Sequence, residues 1–170
     1  SSIKDGYAKA VSDGSFKDCC GTSAFALFGS TKEPLLIGWN GVPGSQSAQS
    51  AYRSKLTGIA GIITAVELIC SRCNITQGAI GLGLDNSETL NQAQGDWPLV
   101  PTQADFNMLS DIRQQLASST ITWHWHWISG HQDKHTLLRL LDFWAKNNVY
   151  MDKLAKSFIW HRPLLKIWIL

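Results

Sequence analysis

A change of hydrophobic period near residue 50 constrains this chain more than any other feature. Before it, three short apolar runs, Tyr7 to Asp13, Thr22 to Gly29 and Leu35 to Trp39, are separated by Lys17-Asp18-Cys19-Cys20-Gly21 and by the residues leading to Pro34. That spacing predicts a hairpin extended to a three-stranded meander, with Gly41-Val-Pro-Gly-Ser as the loop that ends it. After it, Leu56, Ile59, Ala60, Ile63, Val66 and Ile69 recur at three- and four-residue steps, so Ser50 to Arg72 is expected to form one helix whose apolar stripe lies on a sheet.

The remainder alternates between the two periods. Gly78 to Leu84 reads as a strand running into Asp85-Asn86-Ser87, where Asn86 or Ser87 caps a short helix. Trp97-Pro-Leu-Val-Pro is loop, and Ala104 to Leu116 is helical. From Thr120 to Ser129, Trp123, Trp125 and Trp127 alternate with His124 and His126, the period of two that a strand demands. Leu141 to Ser157 is the last expected helix. Three strands, helix, strand, helices, strand, helix is the order of an α/β layer with helices on a mixed sheet.

At 170 residues and 44% apolar, the chain is expected to bury one core without disulfides or structural metal. Residues 1–157 form the expected domain. Residues 158–170 form an apolar C-terminal tail, packed or cut from a longer chain, and the start at Ser1 also reads as a cut. His161, Arg162, Pro163 and Lys166 interrupt that tail too often for it to span a bilayer, and no membrane role is expected. No secretory apolar segment opens the chain, which predicts reduced thiols and an intracellular location, cytoplasm or nucleus. Cys70 and Cys73 have a spacing that suits zinc or redox chemistry only if a second pair or a histidine approaches, so both are read as ordinary thiols. Fifteen Lys and Arg against thirteen Asp and Glu give a net charge of +2, so nucleic-acid binding must come from local patches.

Three aspartates fall where this order of elements brings them to a common edge. Asp13 is expected near the end of the first strand and Asp85 at the end of the fourth, while Asp152 sits on the last helix. Carboxylates that converge in a crevice require a cation to offset their repulsion. Alone, each would be read as a cap, a turn or a surface acid.

In this arrangement the chain resembles the ribonuclease H family, in particular the retroelement branch attached to reverse transcriptases. The residues that carry the resemblance are Ser12-Asp13-Gly14-Ser15, Ala51-Tyr52-Arg53-Ser54-Lys55-Leu56, Leu84-Asp85-Asn86-Ser87, Gly130-His131-Gln132-Asp133, and the run from Asp142 through Asp152 to Ala155. They span nearly the whole chain in the family's order. The resemblance implies a five-stranded mixed sheet flanked by helices and two-metal hydrolysis of the RNA strand of an RNA/DNA hybrid. It implies Asp13, Asp85 and Asp152 as ligands of Mg2+, or of Mn2+, and His131 as the loop histidine that moves protons or helps release product. Two such ions about 4 Å apart activate water and clamp the scissile phosphate. Gly14, Ser15, Arg53, Asn86, Lys134 and Arg139 are the expected contacts to nucleic acid, and a linked reverse transcriptase domain is the expected partner.

Lys55 departs from the pattern, because the family places a metal-binding glutamate there. A protonated lysine has no lone pair to donate. Glu67 lies about 18 Å further along the same helix at 1.5 Å per residue and does not reach the site, and neither Asp18 nor Glu88 has a defined path to it. The substitution therefore predicts that one metal site is lost or severely weakened. Lys55 is expected either to bind a phosphate or to pair with Asp13 and Asp85. The alternative to a weakened nuclease is an inactive domain of the same fold that binds nucleic acid or protein. His124 and His126 are assigned packing or surface roles. The three tryptophans are read as a face packed on a helix, since stacking on bases needs an exposed platform.

Overall fold

In the computed structural model, which describes residues 1–95, 97–161 and 168–169, the change of period becomes a change of element. β1 (Ala8–Lys17), β2 (Cys20–Phe28) and β3 (Pro34–Gly41) form the antiparallel meander. α1 (Ala51–Cys73) follows, then β4 (Gly78–Leu84), α2 (Ser87–Gln94), α3 (Phe106–Ser118), β5 (Ile121–Trp127) and α4 (Phe143–His161). β4 pairs parallel to β1 and β5 parallel to β4, giving the expected mixed sheet of five strands in the order β5-β4-β1-β2-β3. A two-residue strand, β6 (Trp168–Ile169), adds to the outer side of β3. The rest of the expected tail beyond His161 lies outside the described residues.

The sheet is buried on both sides. Ala10, Leu27, Ile80, Leu82 and Leu84 meet Leu56, Ile59, Ile62, Ile63 and Val66 of α1, with Leu109 and Ile112 of α3 behind them. On the opposite face Val11, Ala24, Ala26 and Phe28 meet Ala145, Met151 and Ala155 of α4. At 23 residues α1 is long and apolar enough to cross a bilayer. Its stripe nevertheless has no solvent exposure at Leu56, Ile59, Ile62, Ile63 and Val66, so its apolar character is accounted for by this core. Lys9 lies over the rings of Phe143 and Trp144, tying the start of α4 to β1 by cation–π contact.

Local chemistry sets the boundaries. Ser50 caps α1, its hydroxyl accepting from Arg53 N at 2.9 Å, and Asn74 ends the helix in the left-handed region. Asn86 caps α2, accepting from Thr89 N at 2.7 Å. Asp142 caps α4 by accepting from Ala145 N at 2.8 Å, which moves the start of that helix two residues past the expected Leu141. The greatest difference from expectation is at the first hairpin. A five-residue link was expected, but Asp18 and Cys19 both take positive φ and turn the chain in two residues. β1 therefore continues to Lys17, and Asp13, opposite Ala24, lies within the strand instead of near its end.

Candidate functional site

Three elements bring charged side chains together at one end of the sheet. Asp13 comes from β1, Asp85 follows directly on β4, and Lys55 stands one turn into α1. The approach of α1 to β1 depends on Gly14. A Cβ there would lie 2.5 Å from the backbone nitrogen of Lys55 and 2.7 Å from the Ser54 Cβ, so any larger residue would push the helix, and Lys55 with it, away from the strand. Ser54 Oγ donates to Ser15 O at 3.1 Å and pins the same junction.

The ammonium of Lys55 donates to Asp13 Oδ1 at 2.7 Å and to Asp85 Oδ1. All three side chains are largely removed from water, with 15% exposure for Lys55, 4% for Asp13 and 9% for Asp85. Two carboxylates share one ammonium, and the cluster carries an excess negative charge when all three are ionised. Burial pushes the Asp13 carboxyl up to about 6; Lys55 pulls against that shift, and the Asp85 charge adds to it. For Lys55, burial works against the ammonium, but the two carboxylates outweigh it and hold its pKa above the ordinary lysine value. Of the two expected roles for Lys55, phosphate contact or pairing with the aspartates, the geometry is that of pairing.

The other residues singled out in the sequence are placed differently. Asp152 lies on α4 and accepts from Lys156 Nζ at 2.6 Å, one helical turn on. Gly130 packs against Asp85, with a Cβ position 3.2 Å from Asp85 Oδ2, so the His131 loop begins beside the cluster. His131 itself is exposed and left-handed at the start of a short 3-10 helix, Gln132–Lys134. Lys134 and Arg139 are exposed, whereas the Asn86 side chain is engaged as a helix cap. Of the cysteines, Cys70 is buried and Cys73 exposed, and both are free thiols.

Arg53, expected at the nucleic acid, is directed into the fold. It donates to Pro43 O at 2.8 Å and forms an ion pair with Asp105, so it ties the loop before α1 to the start of α3. Asp105 stands before the first residue of α3 but makes no side-chain cap bond there; its role is the ion pair with Arg53. Replacing Arg53 by alanine is expected to cost about 3 kcal/mol, because the largely buried Asp105 carboxylate is left unpaired. Lysine there should restore only part of it, for want of the planar fork. Urea titration checks this, and an unchanged midpoint for Arg53→Ala would show the clamp to be idle.

A divalent cation does not fit these residues as they stand. The space between Asp13 and Asp85 holds an ammonium, Asp152 is engaged by Lys156, and among the described residues no group of three His, Cys, Asp or Glu side chains is placed to hold a metal. A unit charge 4 Å from another interacts by about 4 kcal/mol at an effective dielectric near 20, and a dication facing Lys55 would meet about twice that as repulsion.

No protein-family model matches the chain, and no curated protein does. Solved structures do. The chain superposes on LC11 ribonuclease H1, isolated from compost by a metagenomic approach, with a TM-score of 0.64 at 9% identity, covering 89% of this chain and 94% of that one. The same enzyme in complex with an RNA/DNA hybrid gives a TM-score of 0.60 at 8% identity, covering 88% and 94%. LC9 ribonuclease H1, a type 1 enzyme with the type 2 active-site motif, gives 0.62 at 11% identity, covering 96% and 77%. At these identities the likeness is one of architecture: the chain has the ribonuclease H-like α/β fold.

Proposed function

We propose that this chain is a ribonuclease H-like domain that engages RNA/DNA hybrids and cleaves their RNA strand weakly or not at all. We place it in a retroelement polyprotein, next to a reverse transcriptase domain. The reading rests on the order of the motifs around Asp13, Asp85, His131 and Asp152, and on the ribonuclease H-like fold. The observation that carries the loss of cleavage is the Lys55 ammonium held between Asp13 and Asp85. Magnesium or manganese would have to displace a lysine that both carboxylates hold charged, so tight binding of either ion is not expected.

Hybrid engagement needs cations outside that cluster. Lys134 and Arg139, exposed beyond the His131 loop, are the candidates for phosphate contact. Such contacts position a duplex without reading its sequence, and discrimination of RNA from DNA rests on the 2′-hydroxyl. A labelled hybrid is expected to bind at low salt and to stay intact in magnesium or manganese. Replacing Lys134 and Arg139 together by alanine should weaken binding and make its dependence on log salt shallower by about two. Robust cleavage by the Lys55 protein would overturn the proposed loss of activity. Failure to bind hybrid at low salt would overturn the proposed substrate.

A further inference from the structure

The two edges of the sheet differ. The outer side of β3 is lined by β6, with Leu36 opposite Ile169 and Ile37 opposite Trp168. β5 is the last strand on the other side, so one row of its backbone N–H and C=O groups points away from β4. Exposed edges are ordinarily blunted by lysine, proline or a bulge. The sequence of β5, Ile121-Thr-Trp-His-Trp-His-Trp127, has no lysine and no proline, and its pairing with β4 runs without a register shift.

The side chains of β5 sort by face. Trp123 and Trp125 pack against the core on the side of α1 and α3, while Thr122, His124 and His126 are exposed on the other side. We infer that β5 is a self-association edge, pairing antiparallel with β5 of a second copy of this chain about a two-fold axis at His124.

The sequence is self-complementary in that register. All seven residues pair: Ile121 meets Trp127 of the other copy, Thr122 meets His126, Trp123 meets Trp125, and His124 meets its own counterpart. Opposite residues of an antiparallel pair share a face, so tryptophans meet tryptophans or isoleucine on one side and the imidazoles and Thr122 align on the other. Trp127, already 57% exposed, gains an apolar neighbour. Shifting the axis by one residue to Trp125 also preserves the faces but pairs only Trp123 to Trp127. The contact is isologous, using the same edge of both copies, so it closes as a dimer and does not propagate as a filament.

Light scattering on the intact chain at about 50 µM, where a micromolar complex is mostly formed, tests the inference. The wild type is expected to be a dimer. His124→Lys and His124→Glu, exposed changes that place like charges opposite each other across the axis, should each give a folded monomer, as judged by unchanged far-UV circular dichroism. Mixing the two variants should restore the dimer. A monomeric wild type, a dimer that survives His124→Lys, or a mixture that stays monomeric would each overturn it.

Discussion

Replacing Lys55 by glutamate is expected to destabilise the metal-free protein by about 3–5 kcal/mol, the cost of stripping a buried charge of its partner. Asp13 and Asp85 would lose the ammonium that both contact, and a third carboxylate would enter a space where those side chains are 4% and 9% exposed. Against a total stability of about 5–15 kcal/mol for a domain, that is a large fraction. The same substitution should create a response to magnesium or manganese, because three oxygen donors then converge where an ammonium stood. A ligand at a hundred times its dissociation constant returns about 2.7 kcal/mol to the folded state. Thermal melting of wild type, Lys55→Glu and Lys55→Met, in EDTA and across a magnesium titration, separates the contributions. Both variants should melt lower in EDTA, and only the glutamate variant should climb with magnesium. A wild type that gains stability from magnesium would contradict the assignment of Lys55 as the occupant of the site.

The ordering of elements was legible because it rests on period: β4 matches its expected limits, and α1 begins and ends one residue later than its stripe suggests. The length of β1 was not legible, because it depends on the positive φ of Asp18 and Cys19, and cysteine gives little sign of a left-handed turn. The meeting of Asp13, Lys55 and Asp85 was foreseeable as one of two roles for the lysine, since the end of β4 runs parallel beside the middle of β1 and the start of α1 packs against β1 at Gly14. The position of Asp152 was less so. Its partner Lys156 lies only four residues on, and a helix makes that pairing available whatever the sheet edge requires. The engagement of Arg53 with Asp105 joins residues far apart in sequence, and no local pattern announces it.

Removing one carboxylate should act in the opposite direction from removing the lysine. The Asp13 carboxyl titrates near 6 in the folded chain against 3.8 as its ordinary value, with burial the largest cause. Between those values the folded state keeps a proton that the unfolded chain has released, so stability falls as pH rises through the window. Two pKa units correspond to about 3 kcal/mol, fully expressed above pH 6. Lys55 adds nothing to that slope: its raised pKa contributes stability that is fully present below 10.5 and is lost only as pH rises through the higher folded value. Asparagine at position 13 has no charge to bury. Because the raised Asp13 value is already net of the attraction of Lys55, Asp13→Asn is expected to be more stable than wild type at neutral pH by up to about 3 kcal/mol. The informative quantity is the difference between the two proteins in urea titrations from pH 4 to pH 7. That difference should grow with pH and level off above 6. A flat difference with the asparagine protein less stable throughout would mean that pairing with Lys55 outweighs burial at Asp13, and that the cluster stabilises the fold through both of its carboxylates.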